Sequence, residues 1–330
     1  MLRHKDGMNM MRRFWIAAAA LLIGASTAAA QGWPTKPVRV LNGFPPGGGV
    51  DVVARIVTEH LTKVLGQPFV IESKPGAAGN IAGEALMQAP ADGYTIYIVA
   101  PAVTVVNHAM YKDMPFDPAK DFAPISLVAR LPFLIEISTK HPFTTFNDFI
   151  AFAKTTSQPL NHGSPGIGSA PHLAAELLKM RLGFKSEHVP YRGTAPFNQG
   201  MMQKELDWSF DVPTSALSLS QGGFARLVAI TAEKPEPKFP GVPTLESLGV
   251  PDAVWVSWFA LVAKTGTPKP IVDRISQEVA KAYRNPELAG RLVAVGLDPV
   301  ATTPEETAKI FDADRARWSA VVRANNIKVE

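Results

Sequence analysis

Between residues 38 and 100 the chain alternates apolar runs too short for helices with stretches that repeat at helical spacing. Residues 38–41 read as a buried strand. Val52, Val53, Ile56, Val57, Leu61, Val64 and Leu65 share one helix face, and Gly66 ends that helix. Residues 69–72 predict a strand, Asn80–Gln88 a helix and residues 94–100 a third strand. Parallel strands need a crossover of roughly a dozen residues, so this β-α-β-α-β order predicts a mostly parallel sheet covered by helices.

The alternation resumes downstream. Residues 110–124, rich in Pro and Asp, have no clean period and are expected to form an ordered surface excursion. Strands are expected at 133–138, at a short run ending in Asn161-His162-Gly163, and at 187–191, 206–210, 226–231 and 255–263. Helices are expected at 147–154, with Thr145 or Asn147 as cap, at Ala170–Leu182, closed by Gly183, and at 270–283, 287–294 and 304–325. Pro270 and Pro304 sit near helix starts, where a missing N–H costs little. The expected fold is α/β, with two similar lobes joined by a hinge. The final strand and helices return to the first lobe. Lobe 1 would comprise 31–134 with 256–330, and lobe 2 would comprise 135–255.

The N-terminus reads as an address. Arg12 and Arg13 precede an apolar run at 14–25 and then Ala28-Ala29-Ala30, the order of a secretory signal peptide. The run is short of the ~20 residues that a spanning helix needs; a membrane anchor is the alternative. Cleavage is expected after Ala30, giving an exported, periplasmic chain that floats free as a monomer. Without residues 1–30 the chain holds 29 basic and 28 acidic side chains, so its apparent basicity belongs to the leader. No Lys/Arg cluster remains for nucleic acid. The absence of Cys excludes disulfides, thiolate metal sites and a Cys nucleophile.

Two glycine-rich loops stand between a strand and a helix start. The first is Phe44-Pro45-Pro46-Gly47-Gly48-Gly49-Val50-Asp51. The second runs from Gly163 to His172 and contains Ser164, Gly166, Gly168, Ser169 and Ala170. A helix start leaves about four N–H groups without intrahelical partners and carries about half a positive charge. Glycine lets a ligand approach the backbone. Each loop is therefore either a tight turn or half of an anion site. Neither contains Lys or Arg, which favours a carboxylate over a phosphate. Asp51 beside such a site is repulsive; it either caps and braces the loop, orients water, or meets a ligand amine or hydroxyl.

Motifs for catalysis are missing. No G-x-x-x-x-G-K-[ST], H-E-x-x-H or G-x-S-x-G occurs. The histidines beyond the leader (His60, His108, His141, His162, His172 and His188) lack metal-ligand spacing, and no metal or other cofactor is implied. His172, just inside a helix, either faces a ligand or lies at a core edge. Asp207 and Asp211 flank a strand and read as turn-forming or lobe-facing acids rather than a catalytic pair. Trp255 and Trp258 read as core.

Further stretches carry a family likeness: Trp33-Pro34-Thr35-Lys36-Pro37, Lys74-Pro75-Gly76-Ala77-Ala78-Gly79-Asn80, Ala91-Asp92-Gly93-Tyr94-Thr95, Phe116-Asp117-Pro118, Asp121-Phe122-Ala123-Pro124, Val189-Pro190-Tyr191-Arg192-Gly193-Thr194-Ala195-Pro196 and Pro240-Gly241-Val242-Pro243-Thr244. With both glycine loops, and in this order, the chain resembles the Bug family of periplasmic solute-binding receptors, the extracytoplasmic component of tripartite tricarboxylate transporters. The resemblance implies a type II periplasmic-binding-protein fold with a ligand cleft between the lobes. It implies that the two loops grip one ligand carboxylate through main-chain groups and waters, with Phe44, Gly48, Gly49, Asp51, Ser164, Gly168, Ser169 and Ala170 contributing. Tyr191, Arg192, Gly193 and the Asp211-Val212-Pro213 turn would line the other end, and residues 100–104, with Ala102 and Thr104, a further wall. His172 joins this set as a candidate. Ser169 stands where the family often has Thr, and Val212 where Asn is common; His162 and Pro165 also depart, so the ligand is not transferable. The expected partners are a small organic carboxylate and either membrane subunits or a sensor ectodomain. An exported hydrolase or isomerase using His172, Asp51 or Asp211 is the alternative.

Overall fold

The computed structural model describes residues 32–111, 113–250 and 255–327, so the expected leader lies outside the described residues. The first half unfolds in the expected order: β1 (Val38–Asn42), α1 (Gly49–Leu65), β2 (Phe69–Ser73), α2 (Asn80–Gln88) and β3 (Thr95–Val99). A single π turn (Ala102–Val106), α3 (Asn107–Met110) and α4 (Pro118–Asp121) lead to β4 (Phe122–Pro132). Then come β5 (Leu134–Ser138), α5 (Phe146–Thr155), β6 (Leu160–Ser164), α6 (Ala170–Leu182) and β7 (Ser186–Pro190). These are followed by α7 (Thr194–Met202), β8 (Trp208–Asp211), α8 (Pro213–Gln221) and β9 (Ala225–Ile230). The chain ends with β10 (Val256–Lys264), α9 (Lys269–Ala282), α10 (Pro286–Ala294), β11 (Asp298–Pro299) and α11 (Pro304–Ala324).

Two sheets form, ordered β11-β4-β10-β3-β1-β2 and β7-β6-β8-β5-β9. In the first, β1 is parallel to β2 and β3, while β10 runs antiparallel between β3 and β4. In the second, β6 is parallel to β7 and β8, while β5 runs antiparallel between β8 and β9. The sheets are therefore mixed rather than mostly parallel, and the crossings explain why. The chain passes from β4 to β5 through Phe133 alone. A strand that starts at the seam must oppose the strands that end there. The same holds for β10, the first strand of the return. β1, β3, β6 and β8 thus all present their C-terminal ends to one seam, where ligands bind in open α/β sheets.

β4 begins within the stretch expected to be a surface excursion. Pro124 hid it, because proline is unwelcome inside a sheet. Here the pairing with β10 shifts register beside Val262↔Pro124, and the irregularity accommodates the ring. Helices end as expected, with Gly66 and Gly183 in the left-handed conformation, and Thr145 caps α5 by accepting the Asp148 N–H.

Thr231 joins the two crossings. Its hydroxyl accepts the Phe133 N–H at 2.8 Å and donates to the Trp255 carbonyl at 2.6 Å. Backbone bonds from Thr231 N to Phe133 O and from Trp255 N to Thr231 O complete the node. A core running from Leu41 and Val99 to Trp208 and Phe210 includes Trp255 and Trp258 and spans both sheets. α11 closes it, packing on β4, the π turn and α6. Replacing Thr231 by Val keeps the shape but strips the Phe133 N–H of its hydroxyl acceptor. Urea unfolding is expected to show a loss of roughly 1–3 kcal/mol.

Candidate functional site

The first loop follows the end of β1. Asn42 is fully buried; its Oδ1 accepts the Phe44 N–H at 3.0 Å, and its Nδ2 has no partner. Gly48 caps α1 in an extended conformation with no side-chain acceptor for the first-turn N–H groups. Gly49 lies against Phe259 of β10, where a Cβ would sit 3.3 Å from the ring. Asp51, in the first turn of α1, accepts the Gly47 N–H at 3.0 Å and pairs with Arg55 at 2.9 Å through the same oxygen. It therefore braces the loop, and its other oxygen, Oδ1, is buried without a partner. The Arg55 side chain is 64% exposed, so the pair contributes at most about 1 kcal/mol. It does supply a cation one turn beyond the glycines, which the i, i+4 spacing from Asp51 could have signalled.

The second loop is held from beneath by three stacked imidazoles. His172 and His188 lie face to face with ring centroids 3.7 Å apart, and His162 is 5.1 Å from His188. Nδ1 of His172 accepts the Gly168 N–H at 3.0 Å. Nε2 of His188 is 2.7 Å from the Ser164 hydroxyl, which also donates to Gly166 O. His162 reaches Ser186 through Nδ1 and Glu176 through Nε2 at 3.3 Å. Burial holds His172 down at about 4 and, with its two neighbouring rings, His188 at about 2. Burial alone would raise Glu176, but His162 and Lys179 pull it down to about 2. The imidazoles are thus neutral. The acceptor lone pair of His172 is spent on the Gly168 N–H, so this residue shapes the loop rather than reaching out from it.

Ser169 caps α6 without a side-chain bond to it, and its Oγ is buried without a partner. Gly168 adopts φ +75°, and a Cβ there would fall 2.0 Å from Cε of Met110. Met110 belongs to the first sheet's side, so the lobes touch at this point. A narrow recess lined by Pro101, Val106, Ala170, Leu173 and Ser257 joins the start of α6 to the third wall. In that wall Ala102 is buried and Thr104 turns its hydroxyl back to Ala100 O.

At the far end the expected residues divide. Tyr191 donates to Glu205 at 2.8 Å and packs on Gly200, and Arg192 is exposed. Asp211, at the end of β8, is buried, with Oδ1 taken by the Val212 N–H and Oδ2 unpartnered. Val212 packs on both cores, and Pro213 lies under Gly296 of the first lobe. Asp207 is at the opposite end of β8, held by Lys140, His141 and the Asn161 N–H. The acid that feels the charge of Asp211 is instead Glu136, buried inside an apolar strand and not singled out from the sequence. Buried polar atoms are nearly always satisfied. Here Asn42, Asp51, Ser169 and Asp211 each keep one unsatisfied atom at strand ends or helix starts along the seam.

Because His172 ionises less readily when folded, its contribution is complete above about pH 6.5 and is lost as pH falls toward 4. The melting-temperature advantage of the wild type over His172→Gln is expected to shrink across that window, by up to roughly 3 kcal/mol in stability. A pH series of thermal melts measures it.

Known proteins resemble this chain along most of its length. The profile of the Tripartite tricarboxylate transporter family receptor matches residues 53–327. Protein BugT of Bordetella pertussis is 29% identical over 98% of this chain and 100% of its own length. Rpa4515 of R. palustris, solved with adipate, is 33% identical and superposes with a TM-score of 0.83 over 90% of this chain and 99% of that one. MatC of Rhodopseudomonas palustris, solved with bound malate, is 29% identical, with a TM-score of 0.79 over 88% and 100%. The matched family is one of transporter receptors, and nothing in the comparisons supports the hydrolase or isomerase alternative. The chain belongs to the tripartite tricarboxylate transporter receptor family.

Proposed function

We propose that this chain is an extracytoplasmic solute-binding protein that closes two lobes around a small organic carboxylate. Lobe 1 comprises 31–134 with 256–330, and lobe 2 comprises 135–255. One carboxylate is gripped by the first-turn N–H groups of α1 and α6, with Phe44, Gly48, Gly49, Ser164, Gly168, Ser169 and Ala170 around it. Asp51 and His172 hold the two loops in shape. Ala102, Thr104, Tyr191, Arg192 and Asp211 form the remaining walls. The unsatisfied buried atoms at the two loops are the observation that carries this reading. The family relatives solved with adipate and malate support the ligand class.

Hydrogen bonds to a charged group contribute roughly 1.5–3 kcal/mol each, and association costs roughly 4–15 kcal/mol. Four such bonds about break even, so selectivity must come from closure and from contacts at the other end. The mature chain, cleaved near Ala30, acts in the periplasm as a monomer. It delivers its ligand to the membrane subunits of a tripartite transporter or presents the closed form to a sensor ectodomain.

A thermal-shift panel tests the reading: carboxylates should raise the melting temperature without being consumed, and turnover of a stabilising compound would overturn it. Gly48 offers the cleaner variant. It has negative φ, and the nearest atom to an added Cβ is 3.7 Å away. Gly48→Leu should leave the melting temperature nearly unchanged and weaken carboxylate binding at least about tenfold by calorimetry. Gly168→Val should lose stability as well, through positive φ and the collision with Met110.

A further inference from the structure

We propose that Glu136 and Asp211 together form the wall that selects the ligand's far end, accepting a hydroxyl or ammonium donor and rejecting a second ionised carboxylate; this rests on the carboxylate-receptor reading. The register of β5 and β8 sets Glu136 opposite Ser209 and Leu134 opposite Asp211. Glu136, Ser209 and Asp211 therefore share one face of the sheet. The pairing of β6 with β8, Gly163 beside Ser209, brings Asp211 level with Pro165 in the second loop. Val212 and Pro213, which follow at once, touch the first lobe. Asp211 thus stands at the seam, and Glu136 stands behind it.

Both acids are buried, at 0% and 1% exposure. Each has one oxygen engaged: Ser209 donates to Glu136 Oε1 at 2.6 Å, and the Val212 N–H donates to Asp211 Oδ1 at 2.7 Å. Each has one oxygen, Glu136 Oε2 and Asp211 Oδ2, buried with no partner. α7 and α8, the helices packed there, bring Asn198 and Ser215, which bond each other at 2.7 Å. β6 brings Gly163. None of these is charged, and the groups acting on the two acids are each other, Ser209, Ser215 and the Val212 N–H.

A buried carboxylate without a cation is costly. Burial pushes Asp211 up to about 7, against the Ser215 hydroxyl and the Val212 N–H. Burial and the charge of Asp211 together raise Glu136 well above the usual carboxylate range. Near neutrality the couple retains one proton, and the unpartnered oxygen that does not carry it is left as an acceptor. A donor group satisfies it. A second carboxylate brings like charge to an unscreened acid, unless a proton is taken up with it.

Calorimetry on the full chain with matched C4 and C6 probes decides it: 4-aminobutyrate, 4-hydroxybutyrate and succinate, then 6-aminohexanoate, 6-hydroxyhexanoate and adipate. At about pH 8 the best donor-ended acid should bind at least about tenfold tighter than the diacid of its length, and at about pH 6 the gap should narrow by a similar factor. Asp211→Asn and the isosteric Glu136→Gln should flatten that pH dependence. The wild-type comparison at the two pH values needs no variant to fold. Equal or tighter binding of the diacids at pH 8, or a gap unchanged by pH, would overturn the selectivity wall while leaving the receptor reading intact. Absence of binding by any of the six would overturn the receptor reading and this inference with it.

Discussion

The hydroxyl of Thr231 pins together the two places where, among the described residues, the chain passes between sheets. Everything functional depends on that pinned seam. β4 runs into β5 through one residue, and β10 starts beside Trp255, so both lobes must aim strand ends at the same line. Loops that follow such ends lead into helix starts, and two of those starts, at Gly48 and Ser169, make no side-chain cap bond. The anion-seeking character of the cleft is thus a product of topology first and of side chains second. Other helices do receive a side-chain cap, as α11 does from Thr303 with a full capping box.

Much of this was legible. Regular alternation and glycine stops placed most strands and helices, because periodicity and helix ends are local properties. The two loops were legible for the same reason. What escaped was non-local. β4 carries a proline in the sheet, which only the irregular pairing with β10 makes tolerable. α7 and α8 contain Gly, Pro and several Ser, so no apolar stripe announces them. Glu136 reads as a stray acid until the register sets it beside Ser209 and near Asp211. The imidazole stack unites residues from β6, α6 and β7 that no spacing connects. Val212, which stands where the family commonly has Asn, packs across the seam on both cores, a contact that no local pattern signals.

Around the cleft, burial acts on two kinds of ionisable group with opposite sign. His172 and His188 are held neutral below their ordinary range, which makes stability rise with pH between about 4 and 6.5. Glu136 and Asp211 are held protonated above theirs, which makes stability fall as pH rises through much of the same interval. The two slopes oppose each other, so the fold is less sensitive to mild acidity than either group alone would make it. The same burial leaves each site group with a defined donor or acceptor role.

β10 lies between β3 and β4 in the first sheet, yet it belongs to the last quarter of the chain. A polypeptide emerging from its N-terminus therefore cannot seal that sheet early: the central position stays open until about residue 264 arrives. The contiguous second sheet can assemble while the first still waits for its missing middle. Vectorial delivery thus orders the two halves, and the cleft comes into being last, when the returning strand slots home.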